Sequence, residues 1–281
     1  MPAVGRFRYV EALPRGVQSS SRARGSAHSE RTLVLLHAFP LNARMWEPQL
    51  PLADEGWRVL APQFRGFDAS SAPSGGDAAP AATSIDDYAA DLVDLLDALR
   101  IEDAVVCGCS MGGYVALALV RLAPRYIRGL VLADSRPHAD TPEGIDGRKR
   151  LLALLAEHGP PAIADQMVPR LLSDATRRDQ PDVVARVREL TLANSRAAIA
   201  GAIAALMTRP DSTSLLSTIH CPTLILVGEQ DVVTPPDVGA EMHRAIAGSE
   251  LVVIPGAGHL PNLEQPAAFN EALARFLEHR V

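Results

Sequence analysis

Ser110, Asp231 and His259 are the residues of this sequence whose types can share one reaction. A serine hydroxyl attacks an acyl carbon only when a base takes its proton, and that base needs a third group to hold its tautomer and stabilise its charged form. Ser110 stands in Gly108-Cys109-Ser110-Met111-Gly112, a G-x-S-x-G pattern that chance would supply in roughly one chain in ten of this length. The flanks make it informative. Residues 104–107 are an apolar run with strand character, and residues 113–123 have helical spacing starting directly after the serine. A strand turning sharply into a helix forces the serine into a strained conformation and requires small neighbours. It also leaves the hydroxyl at the carboxyl end of a sheet, beside the positive end of a helix dipole.

Asp231 and His259 each follow a further apolar run, at 222–228 and 250–255, so the three side chains can converge on one sheet edge. Asp231 could instead cap a helix near 235–247. Asp134 also closes an apolar run and is the rival acid, its other reading being a structural hydrogen-bonding role. Acyl transfer further needs N–H donors aimed at the developing oxyanion. One is expected from the backbone of Met111 and the other from Phe39, in the loop after residues 32–36. In that loop His37 reads as a buried brace, while Arg65 reads as an anchor at the site rim and Cys109 as a side chain pointing away from the serine.

Such residues need strands alternating with helices to position them. Strand-like runs at 32–36, 57–61, 104–107, 129–134, 222–228 and 250–255 are separated by helical patterns at 43–55, 84–99 and 113–123, with a closing helix at 264–278. Ser84 is the expected N-cap of the second helix. Residues 4–13 suit an edge strand, residues 19–30 a polar turn and residues 68–82 a long Pro/Gly/Ser/Ala-rich loop. The fold class is therefore α/β, a doubly wound and mostly parallel sheet. Between 135 and 211 the pattern is helical without a strand, with segments at 147–157, 162–172 and 183–206. The expected organisation is a core of 1–134 and 212–281 with a helical cap of 135–211.

The bulk numbers agree with one large domain: 281 residues, 47% hydrophobic and 21% charged. A net charge of -6 gives no basis for nucleic acid or an anionic membrane as partner. The first residues lack the apolar core of a signal peptide, no run approaches a membrane span, and the three cysteines are an odd number, which together point to the cytoplasm. No spaced His/Cys/Asp/Glu cluster, phosphate loop or G-x-G-x-x-G is present, so neither metal nor cofactor is expected. A monomer or small homo-oligomer is expected.

Residues 35–46 (LLHAFPLNARMW), 64–70 (FRGFDAS), 107–117 (CGCSMGGYVAL), 226–235 (LVGEQDVVTP) and 254–266 (IPGAGHLPNLEQP) together resemble the α/β-hydrolase family. The likeness is to its small capped bacterial members, such as 3-oxoadipate enol-lactonases and related esterases, with cofactor-free haloperoxidases close by. The resemblance implies a nucleophile at Ser110, an acid at Asp231, a base at His259, oxyanion donors at Phe39 and Met111, and a substrate-selecting cap. The chain departs from the pattern at Ala38 and Asp68, where relatives commonly have glycine.

The implied activity is serine hydrolysis of a small-molecule ester or lactone. Enol-lactone hydrolysis competes with general carboxylesterase, amidase and perhydrolase activity. A carboxylated lactone would want a cation near the cap, where Arg136, Arg148, Arg150 and Arg209 are available. The reading from another class is a ligand-binding protein that keeps the scaffold without turnover.

Overall fold

The computed structural model describes residues 1–15, 31–67 and 84–281. The turn expected at 19–30 and the loop at 68–82, with Asp68, lie outside them. The described strands are β1 (Ala3–Val4), β2 (Phe7–Ala12), β3 (Thr32–Leu36), β4 (Arg58–Pro62), β5 (Ala104–Cys109), β6 (Ile127–Ala133), β7 (Thr223–Gly228) and β8 (Glu250–Ile254). They form one sheet in the order β1-β2-β4-β3-β5-β6-β7-β8. β1 and β2 run antiparallel at the edge, and every pairing from β4 to β8 is parallel.

The uninterrupted apolar runs are explained by burial on both faces. Strand side chains alternate between faces, so Val34, Leu36 and Val106 enter one core while Leu33, Leu35, Val105 and Cys107 enter the other. The first core is covered by α1 (Ile85–Ala98) and α2 (Met111–Leu122). Ser84 begins α1 with a reciprocal capping box: its hydroxyl accepts from the Asp87 N–H and the Asp87 carboxylate accepts from its own N–H. The second core is covered by Ala43–Glu55 and by α9 (Pro266–His279), with Trp46 packed 6.0 Å from Phe269. Residues Ala43–Glu55 wind as 3-10 helix because Pro48 and Pro51 interrupt the α pattern. The closing helix is preceded by a short turn, α8 (Pro261–Glu264), and starts afresh at Pro266.

Between β6 and β7 the chain forms α3 (Pro142–Leu171), α4 (Asp174–Asp179), α5 (Pro181–Leu192) and α6 (Arg196–Met207). α3 is broken at Gly159, which takes φ +74°. The run expected at 183–206 is two helices, because Ser195 caps a new one by accepting from the Ala198 N–H. This insertion rests on loops at the carboxyl ends of the strands. The Asn194 amide donates to the Pro40 carbonyl (2.7 Å) and the Asn42 amide to the Leu190 carbonyl (3.1 Å). A β-carbon on Gly66 would already touch Ala198 at 3.2 Å. α7 (Pro236–Ala245) follows β7 and packs on β7 and β8.

Candidate active site

Ser110 occupies the junction of β5 and α2 with φ +52° and ψ -112°, a conformation that a serine keeps only when its surroundings fix it. Its N–H donates to the Ala133 carbonyl (2.9 Å), while its carbonyl accepts from the Gly113 N–H (2.9 Å) and the Ser135 hydroxyl (3.0 Å). The flanking glycines follow from close approach. A β-carbon on Gly108 would lie 2.2 Å from the Gly112 carbonyl oxygen, and one on Gly112 would lie 2.1 Å from the Leu36 carbonyl oxygen. Helix α2 thus begins against the end of β3, which places Met111 beside the loop carrying Phe39.

The other two residues meet the serine. Ser110 Oγ lies 2.8 Å from His259 Nε2, and His259 Nδ1 lies 2.7 Å from Asp231 Oδ2. A carboxylate can only accept, so Nδ1 carries the ring proton and Nε2 is left to accept from the serine hydroxyl. His259 and Asp231 are 1% and 3% exposed, against 8% for Ser110. Asp231 Oδ1 accepts from the N–H groups of Val233 (2.7 Å) and Thr234 (3.0 Å), and Oδ2 accepts from the Thr234 hydroxyl (2.5 Å). Burial opposes ionisation of Asp231, but the His259 charge and hydrogen bonds from His259 and Thr234 outweigh it and hold the carboxyl below its ordinary range.

The His259 loop is tied to the helical insertion. The His259 N–H donates to the Leu171 carbonyl (3.1 Å). Glu264, 2% exposed, accepts from the N–H groups of Gly258 (2.9 Å) and Leu260 (3.2 Å) on one oxygen and of Ser173 (2.8 Å) on the other.

A model of the alpha/beta hydrolase family matches residues 33–272. The chain belongs to the alpha/beta hydrolase family. This hydrolase is similar to 3-oxoadipate enol-lactonase 2 of Acinetobacter baylyi, 29% identical over 86% of each chain. It is also similar to a pimeloyl-acyl-carrier protein methyl ester esterase of Neisseria meningitidis, 30% identical over 88% of this chain and 94% of the relative. Among solved structures it is similar to a thermophilic esterase from Thermogutta terrifontis: 35% identity, 97% of this chain and 93% of the other covered, TM-score 0.85. No single described helix of the hydrolase is long and apolar enough to cross a membrane.

The N–H groups of Phe39 and Met111 pair with no acceptor among the described residues. His37 is fully buried. Its Nε2 accepts from the Phe64 N–H (3.3 Å) and its Nδ1 donates to the Ala38 carbonyl (3.1 Å), while burial pushes its pKa down to about 3. Arg65 forms a two-pronged ion pair with Asp91 on α1. Cys109 points beneath the His259 loop, its Sγ 3.9 Å from the His259 carbonyl, and burial raises its thiol pKa. Asp134 is fully buried and accepts from the Gly228 N–H (2.8 Å).

Of the four arginines, Arg148 and Arg209 both pair with Asp140, Arg136 donates to the Val233 carbonyl, and Arg150 is exposed. Thr234 and Glu264 escaped the sequence reading. Thr234 carries a local signal, a threonine three residues after the acid where an Asp side chain caps a turn. Glu264 carries no such signal: it bonds its own loop at Gly258 and Leu260, and its further partner Ser173 is remote in sequence.

Proposed function

We propose that the protein is a serine hydrolase that cleaves a carboxylic ester or lactone through an acyl-enzyme. The observation that carries this reading is the continuous chain Ser110 Oγ to His259 Nε2 (2.8 Å) and His259 Nδ1 to Asp231 (2.7 Å), in a site where the imidazole tautomer suits proton removal. Ser110 attacks the carbonyl carbon while its proton passes to His259 Nε2. The N–H groups of Phe39 and Met111 receive the negative oxygen of the tetrahedral species. Collapse breaks the acyl–oxygen bond, and His259 gives its proton to the leaving alkoxide, which in a lactone stays tethered to the acyl group. Water then gives its proton to His259, attacks the acyl-enzyme, and Ser110 leaves protonated. Asp231 orients the imidazole and balances its charge throughout.

The named activities of the enol-lactonase and esterase relatives support the ester or lactone class. Residues 135–211 act as the substrate-selecting cap. The unpaired cysteines fit a reducing cytoplasm. The test is stoichiometric labelling by a fluorophosphonate together with steady-state rates on short acyl esters and on a carboxylated enol-lactone. Labelling should depend on Ser110, and the short esters or the lactone should be hydrolysed; full activity in Ser110→Ala would sink the reading.

A further inference from the structure

We infer that Asp134 is a positioning residue for the proposed hydrolysis, a neutral carboxylic acid whose proton is held toward the Asp231 carboxylate. The inference rests on Asp231 being the partner of His259. Asp134 directly follows β6 with φ +44°, and its N–H donates to the Leu226 carbonyl (2.9 Å), which fixes its backbone. It is 0% exposed. Oδ1 accepts from the Gly228 N–H, whereas Oδ2 is buried with no hydrogen-bond partner among the described residues. An ionised carboxylate with one oxygen unmet at a buried position is strongly disfavoured; a hydroxyl at the same place has a donor to offer.

The acceptor is at hand. One oxygen of Asp134, one of Asp231 and a ring nitrogen of His259 lie within 4.8 Å of one another. Two carboxylates so close at buried positions do not both ionise, and the hydrogen bonds decide which one does. Asp231 receives four donors, from His259, the Thr234 hydroxyl and the N–H groups of Val233 and Thr234, while Asp134 receives one. The charge therefore sits on Asp231 and the proton on Asp134. Other titratable groups facing Asp134 reinforce this: burial first, then the Asp231 charge, and more weakly Glu264 push its carboxyl well above the ordinary range, against the single Gly228 N–H. Cys109, which also faces it, is a thiol kept neutral by burial. Asp134 keeps its proton through the cycle; no bond to it forms or breaks. Its hydroxyl restrains the Asp231 carboxylate while His259 gains and loses its proton.

The test compares Asp134→Ala with Asp134→Asn, whose amide keeps both an acceptor for Gly228 and a donor for Asp231. Asp134→Ala should lower kcat/KM about 10- to 100-fold, mainly in kcat, and Asp134→Asn should recover it to within about 5-fold. At neutral pH the infrared spectrum of the wild type should carry a protonated-carboxyl stretch that Asp134→Asn lacks, a readout that stands even if the alanine variant does not fold. No such band, or an asparagine variant as impaired as the alanine one, overturns the inference. Full activity in Asp231→Asn would instead remove the assignment of Asp231, and the infrared band would still report the protonation of Asp134.

Discussion

A β-carbon on Gly228 would lie 1.8 Å from the carbonyl oxygen of Gly258. These residues belong to the strand end that leads to Asp231 and the loop that delivers His259, so backbone-to-backbone contact here sets the separation of Asp231 and His259. Gly228→Ala should push the loops apart, with a stability loss of about 1–3 kcal/mol for an overpacked site. It should also lower kcat well beyond what the fall in stability explains at assay temperature. Thermal melts and steady-state kinetics on one short acyl ester check both; an unchanged kcat would contradict the link between this contact and the site.

Thr234→Val removes the hydroxyl that donates to Asp231 Oδ2 at 2.5 Å while keeping the side-chain shape. A hydrogen bond to a charged acceptor of this kind is worth enough to lower kcat/KM about 10-fold. The sign of the pH effect follows from its cause. The hydroxyl helps to hold the Asp231 carboxyl down, so its removal lets the carboxyl take a proton at higher pH, and the acid side of the rate profile should shift upward. A profile that falls in amplitude without moving would leave Thr234 a packing role only.

Glu264→Gln should act on two loops at once. Its carboxylate accepts three buried N–H groups, and an amide in its place turns one accepting oxygen into a donor facing a donor. An unmet buried donor costs about 1–3 kcal/mol, which denaturant unfolding can measure. Because Gly258 and Leu260 flank His259, kcat should fall as well, and an unchanged kcat would contradict this role.

His37 makes the fold sensitive to acid. In the unfolded chain its imidazole takes a proton below about pH 6.5, while in the folded chain the pKa is pushed down to about 3, so between these values the unfolded state binds more protons and stability falls with pH. The contribution is present in full above the unfolded pKa and is lost as pH falls. Between pH 7 and pH 5 the loss should be about 2 kcal/mol. His37→Gln should show a correspondingly flatter dependence in urea unfolding at the two pH values, and equal slopes would remove this explanation.

Much of this arrangement was legible because it is local. The strands declared themselves as apolar runs, and the division of Leu33 and Leu35 from Val34 and Leu36 follows from alternation alone. Ser110, Asp231 and His259 each follow a strand, so parallel topology brings them to one edge. The break of α5 from α6 at Ser195 was hidden because alanine-rich helical spacing continues across it. The roles of Glu264 and of the Asp134 oxygen were hidden for a deeper reason. Each takes a backbone donor that only folding brings near, Ser173 for Glu264 and Gly228 for Asp134, 91 and 94 positions away.

The bonds from His259 to Leu171 and from Glu264 to Ser173 have a consequence for chimera construction. A helical segment borrowed from another hydrolase can vary elsewhere, but it must reproduce the backbone path at Leu171–Ser173. A graft with a different path there would change the chemistry along with the selectivity. Leu171–Ser173 are therefore best kept from this chain, with one exchanged stretch ending before Leu171 and another starting after Ser173 and running to Met207.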